Sequence, residues 1–401
     1  MQSAASGPRP RIALLAAQTA IGLREIPQSA FLLLYLQASG MTPSGIAQVV
    51  SWAQVAGMAV AVLGGVLTTR LGSKWVYVIG LVLSIASSFV FSLTDVWFIT
   101  AAWVIGGAGA ALYNVGSSGY LTRIGQAGGF GTLTALYILS ATVGGAVGHP
   151  IASWIITDVS YAGYGMSMLV LSVITIVIAV VGMPNLVDDT TTVRIPSRSM
   201  RELLRTSRVW AILVMRGLAT VNYGAMLLLV PLLLDTLTND PGLVAAYGST
   251  SLVMASLAQF GAGRAADRWG AQWPTAVSFA VMVGGSLFLA LAHTTVVGLF
   301  VGGVISIAAA WALATLMFIW VADGVPQRDH ATLFGLLIAV WSISMIIGSL
   351  TAGRLVEIAP ASPFVVVGVI NAVALLVGWR YYAGMQNNTP IRPEPPAPQT
   401  P

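Results

Sequence analysis

Long apolar stretches separated by short polar turns run the whole length of this chain. A bilayer core of about 30 Å takes roughly 20 apolar residues in helical form, because lipid offers nothing to satisfy a free backbone group. Twelve stretches meet that demand: 12–37, 44–68, 75–93, 96–120, 130–156, 161–183, 209–234, 243–266, 273–292, 296–321, 333–356 and 364–385. The pattern predicts an all-α membrane protein with twelve transmembrane helices, joined by short connectors that carry Gly, Pro or Asp.

Composition agrees. Hydrophobic residues make up 57% of the 401 positions and charged residues 8%, against about a quarter charged in a soluble domain, so the lipid bilayer is the expected surrounding. No nucleic-acid partner is expected, and monomer is the expected state. Cysteine is absent, which excludes disulfides and thiolate-bound metals. The three histidines, His149, His293 and His330, lie on separate elements; no metal site and no cofactor are expected. Arg9 and Arg11 precede an apolar run that continues past Arg24 and Glu25 to Leu36, longer than a signal core, so it is expected to be a retained first span.

Charge placement sets the orientation. Arg9, Arg11, Arg70, Lys74, Arg123, Arg194, Arg198, Arg201, Arg205, Arg208, Arg264, Arg268, Arg328, Arg380 and Arg392 fall on one side of the spans, and Asp95, Asp158, Asp235 and Asp240 on the other. Basic residues are retained on the cytoplasmic side of short loops, so both termini are expected in the cytoplasm and the chain in the cytoplasmic (inner) membrane. The expected division is a tail over 1–11, a six-helix bundle over 12–183, a cytoplasmic linker over 184–207, a second six-helix bundle over 208–385 and a disordered, proline-rich tail over 386–401. The linker's arginines suit attraction to anionic lipid.

The second half echoes the first at a shift of 198 residues. Gly65, Thr69, Arg70 and Gly72 follow span two, and Gly263, Asp267, Arg268 and Gly270 follow span eight at matching places. Glycine there allows a tight turn, and an acid near the next helix N-terminus can pair with arginine or with the helix dipole. On these residues the chain resembles the major facilitator superfamily, whose loop signature is Gly, three residues, Asp-Arg, one residue, Gly. The second copy fits it; the first has Thr69 at the aspartate position. Span four, with Gly106, Gly107 and Gly109, looks like a second motif of that family, with Trp103 in place of its arginine. Span five, with Gly144, Gly148, His149 and Pro150, is similar to the glycine-proline motif of antiporters, with His149 interposed. Small residues four apart also let membrane helices pack closely whatever is carried. The resemblance implies two pseudo-symmetric six-helix bundles, gating roles for these loop and span-five residues, and a cavity lined by spans one, two, four, five, seven, eight, ten and eleven.

A charge near the bilayer centre costs about 2.5–3.5 kcal/mol on insertion scales, so one retained there faces a partner or a wet cavity. Arg24 and Glu25 stand in mid-span one with Gln28 one turn on, and Arg216 stands about two turns into span seven with Asn222 and Tyr223. Gln54, Trp103, Tyr113, Asn114 and His149 add to the candidate pocket from the first half, and Gln259, Trp311 and Trp341 from the second. Glu25 is the candidate proton-coupling group: desolvation favours its neutral form, and Arg24 beside it favours the charged one. The alternative is a fixed ion pair with Arg24 or Arg216. The arginines suit an anionic or amphiphilic solute; His149 is read as a pH-responsive group or a hydrogen-bonded packing residue.

Gly116, Ser117, Ser118 and Gly119 match the Gly-x-Ser-Gly string of intramembrane proteases, but roughly 30 Å of helical rise separates Ser118 from His149, and a nucleophile needs its base in contact. No phosphate loop for an ATP-driven pump is present in the sequence. The expected function is a secondary transporter of a small organic solute by alternating access, not an enzyme: proton-coupled export of a drug or metabolite, with proton-coupled uptake of an organic anion as the alternative.

Overall fold

The computed structural model describes residues 8–125, 130–185, 200–326 and 329–386. Arg194, Arg198, Arg328, Arg392, most of the expected linker and the proline-rich tail lie outside them. Twelve long helices account for nearly all of what is described. They are α1 (Pro8–Ala38), α2 (Pro43–Leu71), α3 (Ser73–Ser84), α4 (Val96–Gly125), α5 (Phe130–Asp158), α6 (Tyr161–Gly182), α7 (Ser207–Thr238), α8 (Pro241–Trp269), α9 (Gln272–Ala292), α10 (Val296–Gly324), α11 (His330–Ile358) and α12 (Ser362–Gln386). Every predicted span coincides with a helix. The third differs in its second part, where Ile85–Ser92 tightens into a 3-10 helix.

Among the described residues eleven helices are long and apolar enough to cross a membrane, and α1 is not one of them. Its 31 residues suffice in length. It falls short in apolarity because it carries Gln18, Arg24, Glu25 and Gln28, and it is enclosed instead: Leu14, Ala17, Phe31, Leu32 and Leu36 are fully buried among the other helices.

Corresponding helices of the two halves start and stop by the same chemistry. Thr42 caps α2 by accepting from the Gly45 amide at 3.3 Å, and Asp240 caps α8 by accepting from the Gly242 amide at 2.8 Å, each followed by proline in the first turn. Both helices end at a glycine: Gly72 at φ 81°, ψ 153° and Gly270 at φ 79°, ψ 160°. That region is essentially closed to residues with a Cβ, which explains the last glycine of each loop copy.

Within the first half α1 packs on α5, α2 on α4, and α4 on α3; within the second, α7 packs on α11, α8 on α10, and α9 on α12. The halves meet chiefly through α2 against α11 and α5 against α8. The named contacts across this boundary share one end of the bundle. Gly353 of α11 sits on Pro43 and Ala47 of α2, and Glu357 accepts from the Ser44 amide at 2.9 Å. His149 of α5 sits on Gly248 of α8, and Ser249 donates to the Ala146 carbonyl at 2.8 Å. Gln37 donates to Thr236 at 2.8 Å. Asp95, Asp158, Asp235, Asp240 and Glu357 lie at this acidic end, while Arg9, Arg70, Lys74, Arg201, Arg264, Arg268 and Arg380 lie at the opposite, basic end.

The apolar core divides accordingly. At the acidic end one cluster spans both halves, from Phe31, Leu32 and Ile46 to Leu228, Val244 and Phe364. Towards the basic end it separates into a first-half cluster around Leu14, Tyr77 and Tyr120 and a second-half cluster around Ile212, Phe279 and Trp320. A Cβ added at Gly65 or Gly335, both in the basic-end part of their helices, would meet nothing within 4 Å. The bundle is closed at its acidic end and parted at its basic end.

Candidate functional site

The charged pair of α1 is resolved into two environments. Arg24, 2% exposed, points into the first half: its guanidinium donates to Ser172 of α6 at 2.5 Å, to Ser84 of α3 at 2.7 Å and to the neighbouring carboxylate of Glu25. Glu25 remains 21% exposed and also accepts from the Tyr113 hydroxyl of α4. Successive residues on a helix point about 100° apart, so one ion pair spans from the interior of the half to its accessible side. Gln28, fully buried, donates to the Ser87 carbonyl at 2.6 Å and belongs to that interior.

The second half repeats the plan with different chemistry. Shifting by 198 residues takes Arg24 to Asn222, Glu25 to Tyr223 and Tyr113 to Trp311. Asn222 is fully buried and meets Ser306 of α10 at 3.2 Å and Asn371 of α12 at 3.1 Å, and Asn371 in turn donates to Ser286 of α9 at 3.3 Å. Tyr223 and Trp311 pack edge to face, with ring centroids 6.2 Å apart. An interior polar network and a half-buried pair between the first and fourth helices therefore recur in both halves. The network is charged in the first and neutral in the second.

Arg216 departs from this symmetry. Its counterpart is Gln18. The residue is half-buried, its Nε is buried with no hydrogen-bond partner, and no carboxylate among the described residues comes within ion-pair distance of it. It shares a face of α7 with Tyr223, seven residues or about 10 Å of rise towards the acidic end. Trp103, on α4, has an indole N–H buried without a partner.

The remaining candidates are dispersed. Gln54, Gln259 and Trp341 are half-buried on α2, α8 and α11, and Asn114 is exposed on α4. His149 is not near them: its Nδ1 lies 2.8 Å from the Gly145 carbonyl of its own helix, and its ring fits between Phe31 and Gly248 at the closed end. Ser118 is no neighbour of that ring, since it lies towards the basic end of α4. Gly144 and Gly148 are contact points between α5 and α1, where a Cβ would meet the carbonyls of Thr19 and Leu23. Gly106 and Gly109 seat on Ser87 and Ser84, and Gly107 on Ala53, so α4 is clasped between α3 and α2. Pro150, Arg70, Asp267 and Arg268 are exposed, and Arg268 lies over the Trp269 ring at 5.6 Å. Gly263 has only Thr315 nearby, at 3.8 Å.

Sequence reasoning missed the serines and the second asparagine that receive the buried groups, Ser84, Ser172, Ser306 and Asn371, and it missed Gly248. Asn371 carried a usable signal, being a lone amide in an otherwise apolar span. A separate apolar groove of about 480 Å³ runs between α8, α9 and α10, lined by Met254, Gly261, Trp273 and Ala308 among others, and none of the candidate residues borders it.

Twelve helices in two related halves, eleven of them apolar enough to span, with a few polar groups held at mid-depth, define a multi-pass membrane protein built as a solute carrier. Residues 14–295 and, overlapping them, 212–401 match the Major Facilitator Superfamily, and the chain belongs to that superfamily. Its fold matches a solved structure of a mutant of the nucleoside transporter NupG with a TM-score of 0.79 at 15% identity, covering 94% of this chain and 100% of that one. It is 28% identical over 176 residues to the tetracycline resistance protein, class C, of Escherichia coli, which is 42% of this chain and 43% of that protein. The match to this curated relative thus spans less than half of either length.

Proposed function

We propose that the protein exports a small organic solute, a drug or a metabolite, across the cytoplasmic membrane in exchange for protons, by alternating access between two bundles over 12–183 and 208–385. The observation that carries this reading is the apolar core, continuous at one end and split at the other. A carrier needs a state in which its two halves seal one side and part at the other. The excess of arginine at the parted end supports a cytoplasmic placement of that end. The state described is then inward-facing, with both termini cytoplasmic and the protein acting as a monomer.

Glu25 is the proposed proton carrier. It is the partly accessible carboxylate held between Arg24 and the Tyr113 hydroxyl, and protonation would remove the charge that holds the Arg24 guanidinium. The antiporter-like glycines of α5 and the partial likeness to a tetracycline resistance protein support export. Gln54, Trp103, Tyr113, Asn114, Tyr223, Gln259, Trp311 and Trp341 are the proposed lining, with Trp103, Tyr223 and Trp311 packed against the closed-end core, and the loops from Gly65 to Gly72 and from Gly263 to Gly270 the proposed hinges of the gate.

The test is flux into liposomes holding the purified protein under an imposed pH gradient, with tetracycline and a panel of organic anions, cations and neutral amphiphiles. Saturable, gradient-dependent movement of at least one compound is expected. Movement that neither saturates nor responds to the gradient for any of them would overturn the proposal.

A further inference from the structure

Two arginines stand in the membrane-spanning parts of α1 and α7, and the structure uses them differently. Arg24 is committed, with a carboxylate and two hydroxyls around it. Arg216 has no carboxylate within ion-pair distance among the described residues, its Nε is buried without a partner, and part of its surface remains accessible. An arginine at this depth faces a charged partner, a backbone carbonyl or a water-filled cavity, and no carboxylate among the described residues pairs with this one. The first half does not neutralise it: Gln18 takes the matching place, and the charge of Glu25 is balanced by Arg24. These mid-span groups therefore carry one net positive charge.

We propose, resting on the carrier reading above, that the solute is an organic monoanion with a flat apolar body. Arg216 binds its carboxylate or sulfonate, and the Tyr223–Trp311 pair flanks its ring. The guanidinium fork matches such planar anions. Tyr223 lies on the same face of α7 as Arg216, about 10 Å of helical rise deeper as measured from the open end, with Trp311 packed against it, a spacing that a two-ring acid can bridge. Charge is thereby met near the mouth and the apolar body near the closed end, and the anion supplies the counter-charge that the protein leaves out.

The experiment is equilibrium binding of radiolabelled 2-naphthoate to the full-length purified protein in detergent, with competition by 2-naphthalenesulfonate, 2-naphthalenemethanol and 2-naphthylmethylamine. These probes share a ring and differ in charge. Naphthoate is expected to bind saturably and to be displaced by the sulfonate but not by the alcohol or the amine. Arg216→Gln is expected to weaken binding by about ten- to hundredfold, and Arg216→Lys to restore part of the loss, with unfolding temperatures recorded for both. Equal affinity in well-folded Arg216→Gln, equal competition by the amine, or no saturable binding of either anion would overturn the assignment. If pH-driven flux of a cation or neutral solute persists in that case, the carrier reading stands alone. If naphthoate binds through Arg216 but no compound of the liposome panel moves in a saturable, gradient-dependent way, the site stands and the carrier reading falls.

Discussion

The imidazole of His149 rests on the backbone of Gly248, so that α5 of one half and α8 of the other touch where any larger residue would collide with the ring. Phe31 closes the other side of the ring, and Ser249 ties the same two helices one residue further on. This contact is a knob and socket across the boundary that the proposed alternating access would break.

Gly248→Ala is therefore expected to weaken the acidic-end seal rather than the fold of either half. Overpacking costs about 1–3 kcal/mol, which shifts the balance between states by about 5- to 150-fold. The chain has no cysteine, so Ser153→Cys, buried beside Gly242 at the same seal, can report opening without further mutation. Its labelling by a membrane-impermeant maleimide should accelerate in Gly248→Ala; an unchanged rate would show that the contact does not hold this end shut.

The two arginines should behave oppositely in stability. Arg24→Ala strands Glu25 and removes the donors to Ser84 and Ser172. Breaking such a buried pair costs about 3–5 kcal/mol, so a marked fall in unfolding temperature in detergent is expected. Arg216→Leu removes a charge with no partner to strand, and its unfolding temperature should match or exceed that of the unaltered protein. Similar losses in both variants would contradict the environments described.

Glu25→Gln keeps the shape of the side chain and removes its titration. Solute flux driven by a pH gradient should fall to the level set by the solute gradient alone, with exchange at equal pH retained. Coupling that survives this substitution would exclude Glu25 as the proton carrier.

Gly72→Ala and Gly270→Ala each force a Cβ into a backbone region that resists it, at about 1–3 kcal/mol apiece. Comparable losses in thermal stability from the two are expected, because the two turns have nearly the same angles. A loss in only one would mean that the halves use their loops differently.

The spans could be read from sequence because lipid permits few solutions: a stretch of some 20 apolar residues has to be a helix, and each predicted stretch is one. The loop glycines were readable for a related reason, since a repeated glycine after equivalent helices implies a repeated backbone angle. Ser84 and Ser172 were not readable, because a serine that receives a buried arginine looks like any serine in a span. The division of labour between Arg24 and Glu25 was equally hidden. Adjacent positions face different surroundings, and only the placement of α3, α4 and α6 decides which one is enclosed. The tightening of α3 at Ile85–Ser92 also has no mark in an apolar pattern that suits either helix type.

The enclosed arginine of α1 bears on how the protein is made. During synthesis the first helix reaches the membrane long before its partners exist: Ser84 lies 60 residues later in the chain and Ser172 lies 148 later. Until both emerge, the least apolar helix of the bundle must wait at the translocon with its guanidinium met only by the adjacent carboxylate. Biogenesis of the first half is therefore bound to finish as a unit, and a ribosome stalled before α6 leaves a segment that the quality-control machinery of the membrane can recognise.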